Sequence, residues 1–252
     1  MAAINDGLPP GFALAWGLTP TSASKRGPKP AHSVDQIVET AIRLADVEDS
    51  AALSMSRIAK ELGLTANALY RYVSSKDELL VLVADTAWGP PPDSVAEATS
   101  WRDAAAVWTR AVIGRYRERP WLLDIPVHGA PVTPNLLRWL EVLLAAMAGS
   151  GPADQELLGC AMLLDGYARS TASLFRDLSG SSGPPVQSAS VTGSLQPLLR
   201  EHGYPVLAGM LAGGSYQDGP STIDDDIGFG LDRLLDGIEA LVTARQATAT
   251  VS

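Results

Sequence analysis

The segment that most constrains this chain is residues 54–80, SMSRIAKELGLTANALYRYVSSKDELL. Its first run has apolar residues at helical spacing, namely Met55, Ile58, Ala59 and Leu62. Gly63 follows as a helix stop, and Thr65 is a good N-cap for a second, short helix, TANALYRYV. Leu69 and Val73 of that helix point to the core. A helix, a tight turn with glycine and a short helix form the helix-turn-helix pattern.

The second helix of this motif carries polar groups of the kind that read DNA. Asn pairs with adenine edges and Arg with guanine edges, while Thr and Tyr hydroxyls bond phosphate. Ser54 and Lys76 stand at helix starts, where phosphate is favoured. The residues predicted to contact DNA are Ser54, Thr65, Ala66, Asn67, Tyr70, Arg71, Tyr72 and Lys76. The alternative is a plain helical hairpin whose exposed residues face water.

The net charge of -9 would normally argue against nucleic acid. The charge is uneven, however: residues 1–76 hold eight basic and seven acidic residues, and the remainder holds eleven and twenty-one. DNA binding requires a locally basic face and not a basic chain. A short basic arm, KRGPKP, precedes the first helix and is predicted to reach an adjacent minor groove. Its candidate contacts are Lys25, Arg26 and Lys29.

The remaining periodicity predicts an all-α protein in three parts. Residues 1–32 form a flexible extension with the basic arm, in which PPGFALAWGL is either docked on a partner surface or disordered. Residues 33–89 form the DNA-binding domain, with Ser33 as the first N-cap, and residues 90–252 form a helical effector-binding and dimerisation domain. Helices of this larger domain are expected near 100–119, 133–149, 153–179, 194–202, 204–212 and 222–245.

No apolar run is long enough for a membrane span, and the N-terminus is a poor signal peptide. A single cysteine, Cys160, excludes an internal disulfide and favours a reducing compartment, so a cytoplasmic location is expected.

Aromatic and polar residues of the larger domain suggest a ligand pocket. A concave site lined by aromatic side chains and a few polar groups suits a flat, mostly apolar small molecule. The candidate lining residues are Trp108, Tyr116, Trp121, His128, Asn135, Trp139, Met162, Asp165 and Arg169. The alternative for each Trp is that it only fills the core, and Asp165 and Arg169, one turn apart, could form only a surface ion pair.

The last helix has an apolar seam with spacing 4, 3, 4, 3, formed by Ile227, Leu231, Leu234, Ile238 and Leu241. Such a seam is typical of paired helices. It packs either against a second copy of the chain or inside its own chain.

An enzymatic function has little support, because the sequence has no GxGxxG, Walker, HExxH or complete GxSxG constellation. His32, His128 and His202 are far apart in sequence, and the aspartates at 224–226 are typical of an acidic helix start. We therefore expect no cofactor and no metal. A DNA-binding regulator controlled by a protein partner, or a helical enzyme, remains as an alternative.

The stretch SVDQIVETAIRLADVEDSAALSMSRIAKELGLTANALYRYVSSKDELL resembles the N-terminal domain of the TetR family of bacterial transcriptional regulators over residues 33–88. More loosely, WLLDIPVHGAP, NLLRWLEVLL and LLDGYARS resemble the tetracycline-repressor-like C-terminal domain. Ala66 and Ala68 stand where the family often has bulky or positive residues, which bears on the operator sequence.

The resemblance implies a homodimer that binds a palindromic operator in double-stranded DNA, represses transcription and is released by a small-molecule effector. It also implies that the last helix and the long helix at 153–179 form a four-helix dimer interface. Leu164 and Ala168 are the candidate contacts from the long helix, where small residues permit close helix approach.

Overall fold

The computed structural model describes residues 8–18, 32–127, 129–179, 189–214 and 223–251. These residues form an all-helical protein without strands, so the predicted fold class is confirmed. The α-helices in the first third are α1 (Phe12–Ala15), α2 (Val34–Glu48), α3 (Met55–Glu61), α4 (Ala66–Leu69) and α5 (Lys76–Trp88). Those that follow are α6 (Trp101–Glu118), α7 (Pro134–Met147), α8 (Asp154–Ser179), α9 (Ala189–Glu201), α10 (Pro205–Ala212) and α11 (Ile223–Val251). Short 3-10 helices cover Ser50–Ala52, Asp93–Val95 and Pro120–Asp124.

Side-chain caps fix the starts of the helices that we call the DNA-reading head, α2 to α5. Ser33 and Gln36 form a reciprocal capping box at the start of α2, as the sequence predicts for an N-cap at Ser33. The hydroxyls of Ser54, Thr65 and Ser75 each accept a bond from the backbone N–H three residues later. These local bonds set where each short helix begins. The sequence predicts the helix starts at Ser54 and Thr65, and for α5 it allows either Ser74 or Ser75, of which Ser75 is the cap.

The turn between α3 and α4 depends on Gly63, whose φ of +68° lies in the left-handed region. The helix that follows is shorter than predicted: α4 ends at Leu69, and Tyr70 is its C-cap. Beyond it, Arg71 and Tyr72 donate to the carbonyls three residues earlier, which tightens the chain into turns. Val73 is then buried beside Leu69 in the core.

The body, α6 to α11, is built around α6 and α8, which pack along each other, with α7 and α11 against them. Its core combines aromatic and aliphatic side chains, including Trp108, Leu143, Leu164 and Leu231. The helices α9 and α10 form a hairpin that packs on itself. Two predicted boundaries were wrong: α9 begins at Ala189, inside an expected loop, and α11 continues past Arg245 to Val251. Across the described part of the chain, no helix is both long and apolar enough to cross a membrane.

The expectation that residues 1–32 lack regular structure was also wrong in part. Residues 12–15 form α1, which packs on α5 of the same chain. The apolar segment PPGFALAWGL therefore docks, but on its own chain.

Candidate DNA-binding and effector sites

We call α3, α4 and the residues up to Ser74 the recognition region. Apolar packing holds this region against the rest of the reading head. Five of its side chains are buried in the core: Met55, Ile58, Ala59, Leu69 and Val73. The helices α3 and α4 pack on each other, and α2 packs on both α3 and α5. The exposed residues of α4 therefore sit on a fixed base, as a short recognition helix requires.

Most of the residues predicted to contact DNA reach solvent. Thr65, Asn67, Tyr70, Arg71 and Lys76 are exposed, and the others are half-buried, namely Ser54, Ala66 and Tyr72. The Ser54 and Thr65 oxygens accept capping bonds. Each hydroxyl hydrogen can still be donated to a phosphate, because a hydroxyl both donates and accepts.

The basic residues of the reading head fall into two groups. Arg57 donates to Glu48 and Glu61, and Arg43 also donates to Glu61. Hydrogen bonds from Arg57 hold the pKa of both carboxyls below its ordinary value. Within the described ranges, Arg71 and Lys76 make no such ion pair. These two cations are therefore available to an external anion.

The predicted arm residues Lys25, Arg26 and Lys29 lie outside the described residues, as does His128 of the predicted pocket. Their assignments stay predictions.

An aromatic cluster joins the end of α5 to the body. Trp88 meets Tyr116 and Trp139 edge-on, with ring centroids 5.1 and 5.4 Å apart. The Trp139 ring also lies 6.3 Å from Trp108. The indole N–H of Trp108 donates to the Trp139 carbonyl at 2.7 Å, and that of Trp139 donates to the Gly89 carbonyl at 3.0 Å. Trp108 and Trp139 are buried and internally bonded, so both contribute to the core as well as to any site beside them.

Arg169 of α8 faces the edge of this cluster. Its guanidinium donates to the Tyr116 hydroxyl at 3.1 Å and to the Leu123 carbonyl at 2.6 Å, and it lies 5.6 Å from the Tyr116 ring centroid. One turn away, the Asp165 side chain is solvent-accessible although protein surrounds much of it. Partial desolvation raises the pKa of the Asp165 carboxyl, and Arg169 opposes that shift. Burial likewise raises the pKa of Tyr116. The three residues form a polar edge next to aromatic rings.

Three other predicted pocket residues lie elsewhere. Met162 was assigned wrongly, because its side chain is 77% exposed on the outer face of α8 and cannot line an interior with Trp108. The indole of Trp121 donates to Asp46 on α2 at 2.8 Å. The Asn135 side chain donates to Asp85 on α5, at 3.1 Å to its carbonyl and 3.2 Å to its carboxylate. Trp121 and Asn135 therefore connect the body to the reading head.

These contacts belong to a set that we call the junction, formed by Asp46, Asp85, Trp88, Arg119, Trp121, Asn135 and Trp139. Arg119 donates to the Asp46 carboxylate at 3.2 Å and to the Ala87 carbonyl at 2.7 Å. Asp85 is buried and accepts the backbone N–H groups of Asn135 and Leu136 at 2.9 and 3.1 Å. The Asp85 carboxylate thus binds the N-terminus of α7, where a negative charge is favoured.

Sequence reasoning missed Asp46, Asp85 and Arg119. The available signal was Asp85, a lone carboxylate within the apolar run LLVLVADTAW. A charge at such a position is rarely buried unless it has partners.

The predicted dimer seam requires a correction. Three of its residues are buried within the single chain, namely Ile227, Leu231 and Ile238, as are the candidate contacts Leu164 and Ala168 of α8. Ile238 is nevertheless part of a groove on the outer side of α8 and α11. The pairing of α8 with α11 is close, because the Tyr167 hydroxyl donates to the Ile227 carbonyl at 2.8 Å. Periodicity could not tell the face that packs internally from the face that points outward.

The outer side of α8 and α11 nevertheless presents apolar residues. Leu234 and Leu241 of the predicted seam are only half-buried and line a groove of about 370 Å³ with Cys160 and Leu163. Leu158, Leu163 and Phe229 are exposed large apolar residues of these two helices. This outer face remains available to a second copy of the chain. In the parts of the chain that the structure describes, no group of three His, Cys, Asp or Glu side chains could hold a metal ion.

A helix-turn-helix head joined to an all-helical body places the protein in the class of DNA-binding regulators. The chain matches two family models: "Bacterial regulatory proteins, tetR family" over residues 37–83 and "Tetracyclin repressor-like, C-terminal domain" over residues 94–242. The second match covers more than half of the chain, and the chain therefore belongs to the TetR family. Proteins of this family are DNA-binding transcriptional regulators and not enzymes.

Individual proteins support the assignment. The HTH-type transcriptional repressor DrrR1 of Streptomyces coeruleorubidus is 35% identical over 229 residues, which span 88% of this chain and 82% of DrrR1. The crystal structure of apo ActR from Streptomyces coelicolor is similar with a TM-score of 0.68 at 25% identity, over 84% of this chain and 99% of that one. ActR from the same organism in complex with actinorhodin gives a TM-score of 0.65 at 24% identity, over 83% of this chain and 96% of that one.

Proposed function

We propose that this chain is a ligand-responsive repressor that binds a palindromic operator as a homodimer and is released by a small, mostly apolar molecule. Regulators of the family bind DNA operators and small-molecule ligands and are typically dimers. The repressor assignment is supported by similarity to DrrR1, which is named a repressor. ActR, whose structure is similar to this chain, has been solved in complex with the small molecule actinorhodin.

On the reading head, the proposed base-reading residues are Asn67 and Arg71, and the proposed phosphate contacts are Ser54, Thr65, Tyr70 and Lys76. Arg71 and Lys76 are exposed cations without ion-pair partners among the described side chains, so binding DNA breaks no internal salt bridge at these positions. The acidic body repels DNA and confines contact to the head.

The observation that carries the switch is the junction. A ligand changes operator affinity only by the difference in its affinity for two conformations, so its site must connect mechanically to the head. Trp88 ends α5 and packs on Tyr116, which in turn bonds Arg169. We place the effector along α6 and α8 at this polar edge. There, aromatic rings would hold a flat apolar body, while Asp165 and Arg169 would bind a polar group.

For the dimer, we assign the outer face of α8 and α11, including Leu158, Leu163, Leu234, Leu241 and Phe229. A large exposed apolar surface favours association, and two reading heads at fixed spacing are needed for two half-sites.

The test has two steps. Operator sequences are selected from randomised duplex DNA with the full chain, and small molecules are screened by thermal shift, since a bound effector raises the melting temperature. A repressor of this type selects an inverted repeat. A compound that raises the melting temperature of the repressor should weaken its binding to that DNA. Selection of no sequence, or of a sequence without two-fold symmetry, would contradict the proposal.

A further inference from the structure

Residues 8–18, which we call the N-terminal clasp, contact both the reading head and the body. The short helix α1 packs on α5, and Leu14 and Ala15 pack against the core. The indole N–H of Trp16 donates to the Val132 carbonyl at 2.9 Å. Val132 lies two residues before Pro134, the first residue of α7. The clasp therefore spans from α5 to the start of α7, the two helices that Asp85 also connects.

The clasp lies against α5 at a tight contact made by a glycine. Gly11 is buried and has a φ of +77°. A Cβ atom there would lie 3.0 Å from Val81 Cγ1 and 3.2 Å from the Glu78 carbonyl oxygen. A side chain at this position would combine strain at positive φ with a contact so close that the clasp or α5 must shift by a few tenths of an ångström.

The clasp also borders the recognition region. Leu8, Pro9 and Leu14 line one side of a cavity of about 370 Å³, and Tyr70, Arg71 and Ser74 line the other. Tyr70 remains 48% exposed, and Arg71 is exposed as well, while the clasp is seated. The clasp thus lies beside the proposed DNA contacts and leaves them open.

We propose that the N-terminal clasp is a positioning element for DNA recognition, which holds α5 and the recognition region in one orientation relative to the body. The inference rests on the proposed function, because it assigns the clasp a part in operator binding. A rotation of α5 against α7 must break either the Gly11 seat or the Trp16 bond. When the clasp is in place, the reading head has fewer orientations relative to the body, so less conformational freedom is lost when DNA binds. Such preorganisation strengthens DNA binding without new contacts.

A matched pair of glycines isolates the contact. Gly11→Ala and Gly17→Ala both place a side chain at positive φ, at +77° and +64° respectively, so both carry backbone strain. A Cβ at position 17 meets nothing within 4 Å, whereas one at position 11 lies 3.0–3.2 Å from Val81 and Glu78 of α5, closer than ordinary contact. Trp16→Phe is a second variant, which keeps an aromatic ring and removes the N–H donor.

Hydrogen–deuterium exchange on the full chain tests whether the clasp restrains its seat. We expect faster exchange in residues 79–83 of α5 and in residues 129–133 for Gly11→Ala and Trp16→Phe. Gly17→Ala should exchange like the parent. Equal exchange in all four proteins would contradict the proposal.

Operator affinity tests the positioning role, with DNA selected by the parent from a randomised duplex pool. We expect Gly11→Ala and Trp16→Phe to bind about fivefold more weakly, the low end of typical coupling between distant sites. The dependence on salt should keep its slope, because the phosphate contacts are unchanged. A mere loss of folded protein would lower the active fraction instead.

The remaining outcomes are decisive. Faster exchange with unchanged affinity, or tighter binding in the clasp variants, would overturn the positioning role. If Gly11→Ala does not fold, Trp16→Phe alone carries both measurements. If the parent selects no DNA sequence, the proposed function is contradicted, and the role of the clasp with it. If the parent selects a sequence but both variants bind it as tightly as the parent does, only the role of the clasp is contradicted.

Discussion

The recognition region and the junction use polar side chains in opposite ways. Arg71 and Lys76 are exposed and make no ion pair within the ranges that the structure describes. At the junction, Asp46 accepts from Arg119 and Trp121, and the buried Asp85 accepts from Asn135 and Leu136. Groups of the first kind can bind an external partner at little cost to the fold, whereas groups of the second kind stabilise one arrangement of head and body.

The comparison predicts that junction substitutions lower stability and that recognition substitutions lower only DNA binding. The largest expected effect is at the junction. Asp85→Ala leaves two half-buried N–H groups of α7 without their acceptor and removes a buried carboxylate that also accepts from the Asn135 side chain. We expect a loss of about 3 kcal/mol in the free energy of unfolding. Denaturant titration of the full chain measures it.

Asp85→Asn is the control, since it keeps one acceptor oxygen and should lose less, about 1 kcal/mol. Equal stability of Asp85→Ala and the parent would show that the junction bonds do not stabilise the fold.

The outer face of α8 is a third surface, which presents apolar side chains that no other described residue covers fully. Leu163→Asp places a charge in the proposed dimer interface, and the lost burial weakens association by about 2 kcal/mol per copy. Sedimentation velocity should show the dimer dissociating at higher concentration than the parent. Val47→Asp changes an exposed apolar residue on α2, outside the proposed interface, and should leave assembly unchanged. If Leu163→Asp dimerises as tightly as the parent, the dimer interface does not include Leu163.

Arg71→Ala tests whether the recognition region reads bases without contributing to stability. We expect operator binding to weaken by about 1–3 kcal/mol, with relaxed preference at one base position and unchanged melting temperature. Arg200→Ala, an exposed arginine on α9, should bind like the parent. Competition binding against base-substituted operators measures both effects, and unchanged preference would remove Arg71 from the base-reading set.

The smallest expected effect is at Lys76. If its ammonium meets only a phosphate, Lys76→Ala lowers the salt slope of binding by about one unit without changing sequence preference. Titrations at several salt concentrations report the slope. A slope equal to that of the parent would show that Lys76 does not touch DNA.

The reading head could be predicted from the sequence because its signals are local. The caps at Ser33, Ser54 and Thr65 and the stop at Gly63 act over three or four residues. The exception is the early end of α4, where bonds to carbonyls three residues earlier replace the helical pattern.

The junction and the dimer face could not be predicted in the same way. Asp46 and Trp121 are separated by 75 residues in sequence, and periodicity gives no sign of their contact. An apolar stripe has the same sequence pattern whether it faces its own chain or a partner. Leu164 and Leu231 were therefore misassigned, while Leu163 was missed. Met162 was misplaced because the sequence does not show whether an apolar side chain on a helix is covered by another element.

We propose that the junction transmits ligand binding to the DNA-reading head. Asp46→Ala removes the acceptor of Arg119 and Trp121 between the head and the 3-10 helix Pro120–Asp124. Asp124→Ala is its control, because Asp124 pairs with Arg176 inside the body. Both variants should keep the proposed reading residues and the effector site intact.

The most direct measurement is an operator titration with and without the most stabilising compound from the thermal-shift screen, in the parent and both variants. The account predicts that the compound weakens operator binding of the parent and of Asp124→Ala by roughly 5- to 150-fold, the usual range for coupled sites. In Asp46→Ala, the compound should still bind but weaken operator binding much less. Equal weakening in all three proteins would contradict transmission through the junction.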